Sequence, residues 1–124
     1  MAKKVLIVED DRDLVNMIRI YLTKKGYECA LAYDVKEAES LLKEEKPDVI
    51  VLDIMLPRKD GYTFCHELKG SPEYREIPVI MLTVRSQEEE IRRGYASGAS
   101  AYITKPFEFP TLVAEIEKVF KKIK

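Results

Sequence analysis

The chain has 124 residues, enough for one compact domain with a core that needs no disulfide or structural metal. Its 21 Lys and Arg against 22 Asp and Glu leave a formal charge of −1, which removes the electrostatic case for direct binding to nucleic acid or an anionic membrane. No apolar segment approaches the ~20 residues of a bilayer span, and the N-terminus lacks the apolar core of a secretion signal, so a cytoplasmic protein is expected.

The first predicted element is a strand over "VLIV", residues 5–8, which stops on three consecutive acids, Glu9, Asp10 and Asp11. Leu14, Met17, Ile18 and Leu22 then recur at helical spacing, with Asp11 and Asp13 at the positive end of that helix and Gly26 as its stop signal. A weaker strand, "ECALAY" at 28–33, leads to Asp34 and Glu37, an acidic variant of a capping box, and to a helix carrying Ala38, Leu41 and Leu42. The third strand is predicted over "VIVLDIML", 49–56, with Asp53 inside it. "DGYTF" at 60–64 reads as a tight turn and helix start, with Gly61 in a backbone role, and Tyr62, Cys65 and Leu68 form the apolar stripe of the helix that follows. His66, the single histidine, lies on that helix away from the strand ends and reads as a partly exposed residue, not a phosphocarrier. "PVIMLT" at 78–83 predicts the fourth strand, and "SQEEEIRRGYASG" at 86–98, with Ile91, Tyr95 and Ala96, predicts the fourth helix. "AYITK" at 101–105 predicts the fifth strand, and Leu112, Val113, Ile116, Val119 and Phe120 predict the last helix. Pro47, Pro78 and Pro110 sit where elements should begin or end. Cys29 and Cys65 lack metal-type spacing and read as free thiols in a reducing compartment.

Five β-α repeats with strands apolar at both alternating positions predict an α/β domain over 1–124, a doubly wound (βα)5 parallel sheet covered by helices on both faces. Ligands of such sheets bind at the carboxyl ends of the strands. Those ends carry Glu9 and Asp10, Asp53, Thr83 and Lys105. Three carboxylates in one small region repel unless a cation sits among them, and a hard divalent ion with oxygen ligands, Mg²⁺ or Mn²⁺ in its place, answers that need. Lys105 is expected to pair with Asp53 when the site is empty and to follow a phosphoryl oxygen when it is filled, while Thr83 adds a hydroxyl donor. A carboxylate flanked by metal, cation and hydroxyl is arranged to attack phosphorus. An aspartate inside a strand as apolar as "VIVLDIML" has no cheap structural explanation, because burying an unpaired carboxylate costs several kcal/mol.

With these motifs in order, from "KVLIVEDD" through "PDVIVLDIMLPRKDGYTF" and "IPVIMLT" to "GASAYITKPFE", the whole chain resembles the receiver domains of two-component response regulators. The resemblance implies a flavodoxin-like sheet of strand order 2-1-3-4-5. It makes Asp53 the phosphoacceptor, Asp10 the direct metal ligand, Glu9 the neighbouring acid that reaches the metal through water, and Met55 a metal ligand through its backbone carbonyl. Thr83 and Tyr102 become the switch pair, Lys105 the conserved-pattern lysine, and the Lys105-Pro106 bond is expected to be cis. The implied partners are a sensor histidine kinase and a downstream output domain or protein, and the family admits a phosphorylation-dependent homodimer. The helix at 86–98, the fifth strand and the last helix form the implied output face. Such a protein is a switch that takes part in its own phosphorylation and dephosphorylation and is not a turnover enzyme. The chain stops just after the last helix, which suits a complete single-domain regulator and an excised receiver equally.

Two departures stand out. Val84 is larger than the Ala or Gly common after the switch hydroxyl, and neither Met55 nor Arg85 carries an amide or carboxylate to orient a hydrolytic water. A comparatively long-lived aspartyl phosphate is expected from both. The main rival is a Mg²⁺-dependent phosphohydrolase of haloacid-dehalogenase type, which wants a second aspartate two residues after the nucleophile, where Met55 stands. A flavin module of flavodoxin type is weaker, since "EDDRD" would repel the phosphate it must hold.

Overall fold

In a computed structural model of the chain, the described residues are 2–56, 60–83, 92 and 96–122. Five parallel strands, β1 (Lys4–Val8), β2 (Glu28–Ala32), β3 (Val49–Asp53), β4 (Val79–Thr83) and β5 (Ala101–Thr104), form one sheet in the order β2-β1-β3-β4-β5. Four helices are described: α1 (Arg12–Lys24), α2 (Val35–Glu44), α3 (Gly61–Lys69) and α4 (Phe109–Lys122). The architecture and strand order are those expected.

The helix expected over 86–98 lies mostly outside the described residues, as do Val84, Arg85, Ile91 and Tyr95. Of its expected apolar stripe only Ala96 is described, and Ala96 is exposed. The third strand ends earlier than expected, at Asp53, because the chain turns there. Ile54 still donates its N–H to the Leu82 carbonyl, and Leu56 bonds back to the Ile54 carbonyl instead of extending the ladder.

Alternation along β1, β3 and β4 divides the core. Leu6, Val8, Ile50, Leu52, Val79 and Met81 face Ala38 and Leu42 of α2 and Phe64, Cys65 and Leu68 of α3. Val5, Ile7, Val49, Val51, Ile80 and Leu82 face Val15, Ile18 and Leu22 of α1 and Leu112, Ile116 and Val119 of α4. These three central strands are buried on both faces, which is why their sequences lack polar alternation. The buried stripe of α1 passes through Val15, not Met17, which is 48% exposed.

Local chemistry sets the helix ends. Asp11 caps α1, its Oδ1 accepting from the N–H groups of Asp13 and Leu14, and Asp60 caps α3 by accepting from Thr63. Asp34 caps α2 through Glu37 N–H, and Glu37 reaches back to Tyr33 N–H, one residue before the cap. Gly26, at φ 95°, closes α1 in a Schellman turn, with Gly26 N–H on the Thr23 carbonyl and Tyr27 N–H on the Leu22 carbonyl. None of the helices among the described residues is long and apolar enough to cross a membrane.

Candidate functional site

The strand order reverses beside β1, since β2 lies on one side of it and β3 on the other, and the carboxyl ends of β1 and β3 open into the crevice this creates. Parallel register aligns those ends. Val8 sits opposite Leu52, so Glu9 emerges beside Asp53, while Asp53 sits opposite Leu82 and places Thr83 one step beyond it. Thr83 is opposite Thr104, and Lys105 N–H donates to the Thr83 carbonyl, which fixes the exit of β5 against that of β4. The Lys105-Pro106 bond is cis, as the resemblance implied.

Carboxylate oxygens of Glu9, Asp10 and Asp53 come within 4.8 Å of one another. Glu9 and Asp53 are buried, at 1% and 3% exposure, and Asp10 is exposed. Lys105 faces this acid group. Its Nζ lies 2.5 Å from Glu9 Oε1 and 3.5 Å from Asp53 Oδ1, so the expected pairing with Asp53 exists but the closer partner is Glu9. Backbone donors complete the near surroundings: Asp11 N–H reaches Glu9 Oε2 at 3.0 Å, and Met55 N–H reaches Asp53 Oδ1 at 3.3 Å.

Electrostatics follow from this arrangement. Burial works to lower the Lys105 ammonium, but the hydrogen bond to Glu9 and the charge of Asp53 outweigh it and hold its pKa above the ordinary lysine value. The limited desolvation of the exposed Asp10 carboxyl, followed by the hydrogen bond and charge of Glu9, raises its pKa. Three carboxylates against one ammonium leave an excess of negative charge that a divalent cation would relieve. An all-oxygen carboxylate set with one exposed member, able to keep metal-bound water in contact with solvent, suits Mg²⁺ or Mn²⁺.

Of the other expected residues, Thr83 is fully buried at the end of β4, and Tyr102 is half-buried on β5 against the α2–α3 side of the core. The Met55 side chain is 53% exposed, turned away from the core beside Asp53. His66 is exposed on α3, as expected, and plays no part in this group.

The structure adds a role for Gly61 that its turn-like sequence only hinted at. Gly61 N–H donates to the Ile54 carbonyl at 2.8 Å, and a Cβ on Gly61 would fall 2.6 Å from the Asp53 carbonyl oxygen. The first turn of α3 is thereby seated directly on the backbone of the candidate phosphoacceptor. An Asp-Gly pair announces a turn in any sequence, but the close approach is a tertiary fact.

Comparison with known proteins agrees with this geometry. The family model described as the response regulator receiver domain matches residues 5–117. Similar solved structures include the signal receiver domain of a signal transduction histidine kinase from Syntrophus aciditrophicus, with 34% identity and a TM-score of 0.91 over 99% of this chain and 93% of that one. The chemotaxis protein CheY4 of Vibrio cholerae is similar at 31% identity and a TM-score of 0.90, over 96% of this chain and 99% of that one. NtrX of Brucella abortus matches at 28% identity and a TM-score of 0.90, over 99% of this chain but only 28% of that much longer one. With the acid group, the lysine and the strand order in place, the chain belongs to the response regulator receiver domain family.

Proposed function

We propose that the chain, as a receiver domain over 1–124, accepts a phosphoryl group from a sensor histidine kinase on Asp53 and uses the modification to control an output domain or protein. The observation that carries the proposal is the meeting of Asp53 with Glu9, Asp10 and Lys105 at the carboxyl ends of β1, β3 and β5.

An Asp53 carboxylate oxygen attacks phosphorus, the bond from phosphorus to the donor's leaving atom breaks, and that atom keeps the electron pair. Lys105, already 3.5 Å from Asp53, follows the incoming phosphoryl oxygens and screens their charge. Glu9, Asp10, Asp53 and the Met55 carbonyl would hold Mg²⁺, or Mn²⁺ in its place, and the bound ion would add positive charge beside the phosphoryl oxygens. The Thr83 hydroxyl donates to one phosphoryl oxygen, which draws it inward, and Tyr102 turns into the space beside it. Phosphorylation thus shifts an existing equilibrium at the output face that the resemblance implies, to which β5 and α4 belong. A homodimer through that face and the cytoplasmic location expected from the sequence belong to the same proposal. The self-directed phosphorylation and dephosphorylation make the protein a switch, and membership of the receiver family leaves the haloacid-dehalogenase reading without support.

Intact mass after incubation with acetyl phosphate and Mg²⁺ tests this. The expected result is an adduct of about 80 Da that disappears in Asp53→Ala and without metal. Phosphorylation that survives in Asp53→Ala, or no transfer from acetyl phosphate and from a panel of histidine kinases, would overturn it.

A further inference from the structure

The sheet has two edges, and the one at β2 lies wholly within the described residues. Glu28 N–H donates to the Lys3 carbonyl and Glu9 N–H to the Ala32 carbonyl, so Glu28, Ala30 and Ala32 turn their backbone groups to β1. Parallel pairing alternates, and the N–H and C=O groups of Cys29 and Leu31 therefore point away from the sheet. The next outward donors on either side are already used: Tyr27 N–H goes to the Leu22 carbonyl, and Tyr33 N–H to Glu37 Oε1. Open pairing capacity is confined to two residues.

Proteins blunt such edges with lysine, proline or a bulge. β2, "ECALA", has none of these: its single charge is Glu28 at the start, and its five residues pair with β1 in unbroken register. Cys29, Ala30 and Leu31 are half-buried, whereas every residue of β3 and β4 is buried. On the α1 side the apolar stripe runs on through Tyr27 and Tyr33, which pack against the core and stay partly exposed.

We propose that β2 is the contact strand of a two-fold homodimer that forms without phosphorylation, pairing antiparallel with β2 of a second copy so that the two sheets join into one. The second copy fits because the edge is self-complementary. An axis through Ala30 sets Cys29 opposite Leu31 of the second copy and Leu31 opposite its Cys29, and each such pair exchanges two N–H···O bonds, which uses all the open groups. An axis through Cys29 would instead face Leu31 with the occupied Tyr27 N–H, and one through Leu31 would face Cys29 with the occupied Tyr33 N–H. The larger Leu31 then meets the smaller Cys29, and two Ala30 methyls on the axis permit the close approach of a non-hydrogen-bonded pair, about 4.5 Å between Cα atoms.

Charge supports the same orientation. Lys3, Lys24 and Lys25 outnumber Glu28 where β2 begins, and Asp11, Asp13, Asp34 and Glu37 outnumber Arg12 and Lys36 where it ends. Antiparallel pairing lays the basic end of one copy beside the acidic end of the other.

Sedimentation equilibrium of the unphosphorylated protein tests this. Wild type is expected to associate reversibly to twice the monomer mass between about 10 µM and 1 mM, the range of a small interface, and Asp53→Ala to associate equally. Leu31→Pro removes one outward N–H and no bond to β1, a place where an edge strand tolerates proline, and is expected to weaken association by more than about tenfold. In a Cys29→Ser background, Ala30→Cys is expected to form an intermolecular disulfide under mild oxidation, because the two copies of that position lie within bridging range across the axis, while Lys118→Cys on the exposed side of α4 forms none. The cross-link needs no proline, so a Leu31→Pro protein that fails to fold leaves the proposal open to refutation. Wild type that stays monomeric to about 1 mM, association that appears only after phosphorylation, or a dimer in which Ala30→Cys gives no cross-link would each overturn it.

Discussion

Gly61 lies against the backbone of Asp53 so closely that a methyl group on its Cα would stand 2.6 Å from the Asp53 carbonyl oxygen and 2.8 Å from the Ile54 Cα. Both obstacles are main chain in the exit from a buried central strand, so neither can move aside cheaply. Gly61→Ala is therefore expected to destabilise the fold by about 1–3 kcal/mol, as overpacking does, and to slow phosphorylation of Asp53 by displacing the turn that presents it. Urea unfolding and the rate of adduct formation check the two effects. An unchanged urea midpoint would show that the start of α3 is looser than this contact requires.

The Lys105 ammonium gives an alkaline signature. Burial pulls its pKa down, but Glu9 and then Asp53 hold it above the ordinary 10.5. A group whose pKa is higher in the folded state stabilises fully below its unfolded value, and that contribution is lost as pH rises through the folded one. The stability difference between wild type and Lys105→Met should stay flat across neutral pH and shrink only above about pH 10.5. Denaturant midpoints over that range check it, and a difference that fades near neutrality would contradict the ion pair.

Met55 governs the lifetime of the modification in our reading. Its exposed side chain follows Asp53 by two residues and offers no group that would orient water towards phosphorus. Met55→Asn is expected to shorten the half-life of the aspartyl phosphate by about three- to tenfold, since a carboxamide can position the attacking water. Decay of the phosphorylated mass with time measures this. Equal half-lives, or a wild-type half-life of only seconds, would sink the expectation of a long-lived phosphate.

The thiols should be slow. Cys65 is fully buried, and burial, only partly offset by a hydrogen bond to Ser97, raises its pKa. Cys29 is half-buried and raised for the same first reason, with Thr23 acting against it. Because the thiolate is the reactive form, a disulfide reagent at neutral pH should label Cys29 slowly and Cys65 only as fast as the protein unfolds. Rapid labelling of Cys65 in native protein would show that the α3 side of the core opens locally.

Much of this protein was legible in one dimension. The runs "VLIV", "VIVLD" and "VIMLT" are apolar at every alternation except at Asp53 and Thr83, which mark the ends of β3 and β4. Short β-branched runs of this kind suit strands covered on both faces, and in a parallel sheet the polar residues at their carboxyl ends gather at one edge, where ligands bind. Asp11, Asp34 and Asp60 announced their helices because a cap bonds within three residues of itself, a range that sequence spacing expresses directly. Met17 misled for a related reason: Leu14, Met17, Ile18 and Leu22 keep helical spacing, but so does the stripe through Val15, and only packing against the sheet chose between them.

What the tertiary structure alone decided were relations across long stretches of chain. Lys105 and Glu9 are 96 residues apart, and nothing in either segment says that the lysine lies closer to Glu9 than to Asp53. That preference depends on the register of β1, β3, β4 and β5, on the Lys105 N–H bond to the Thr83 carbonyl, and on the Asp11 N–H that turns Glu9 to receive the ammonium. The residue types, the order of elements and the meeting place of the charges follow from side-chain chemistry and periodicity, which are local. The choice of partner among several carboxylates within a few ångströms follows from distances that exist only once the sheet has assembled.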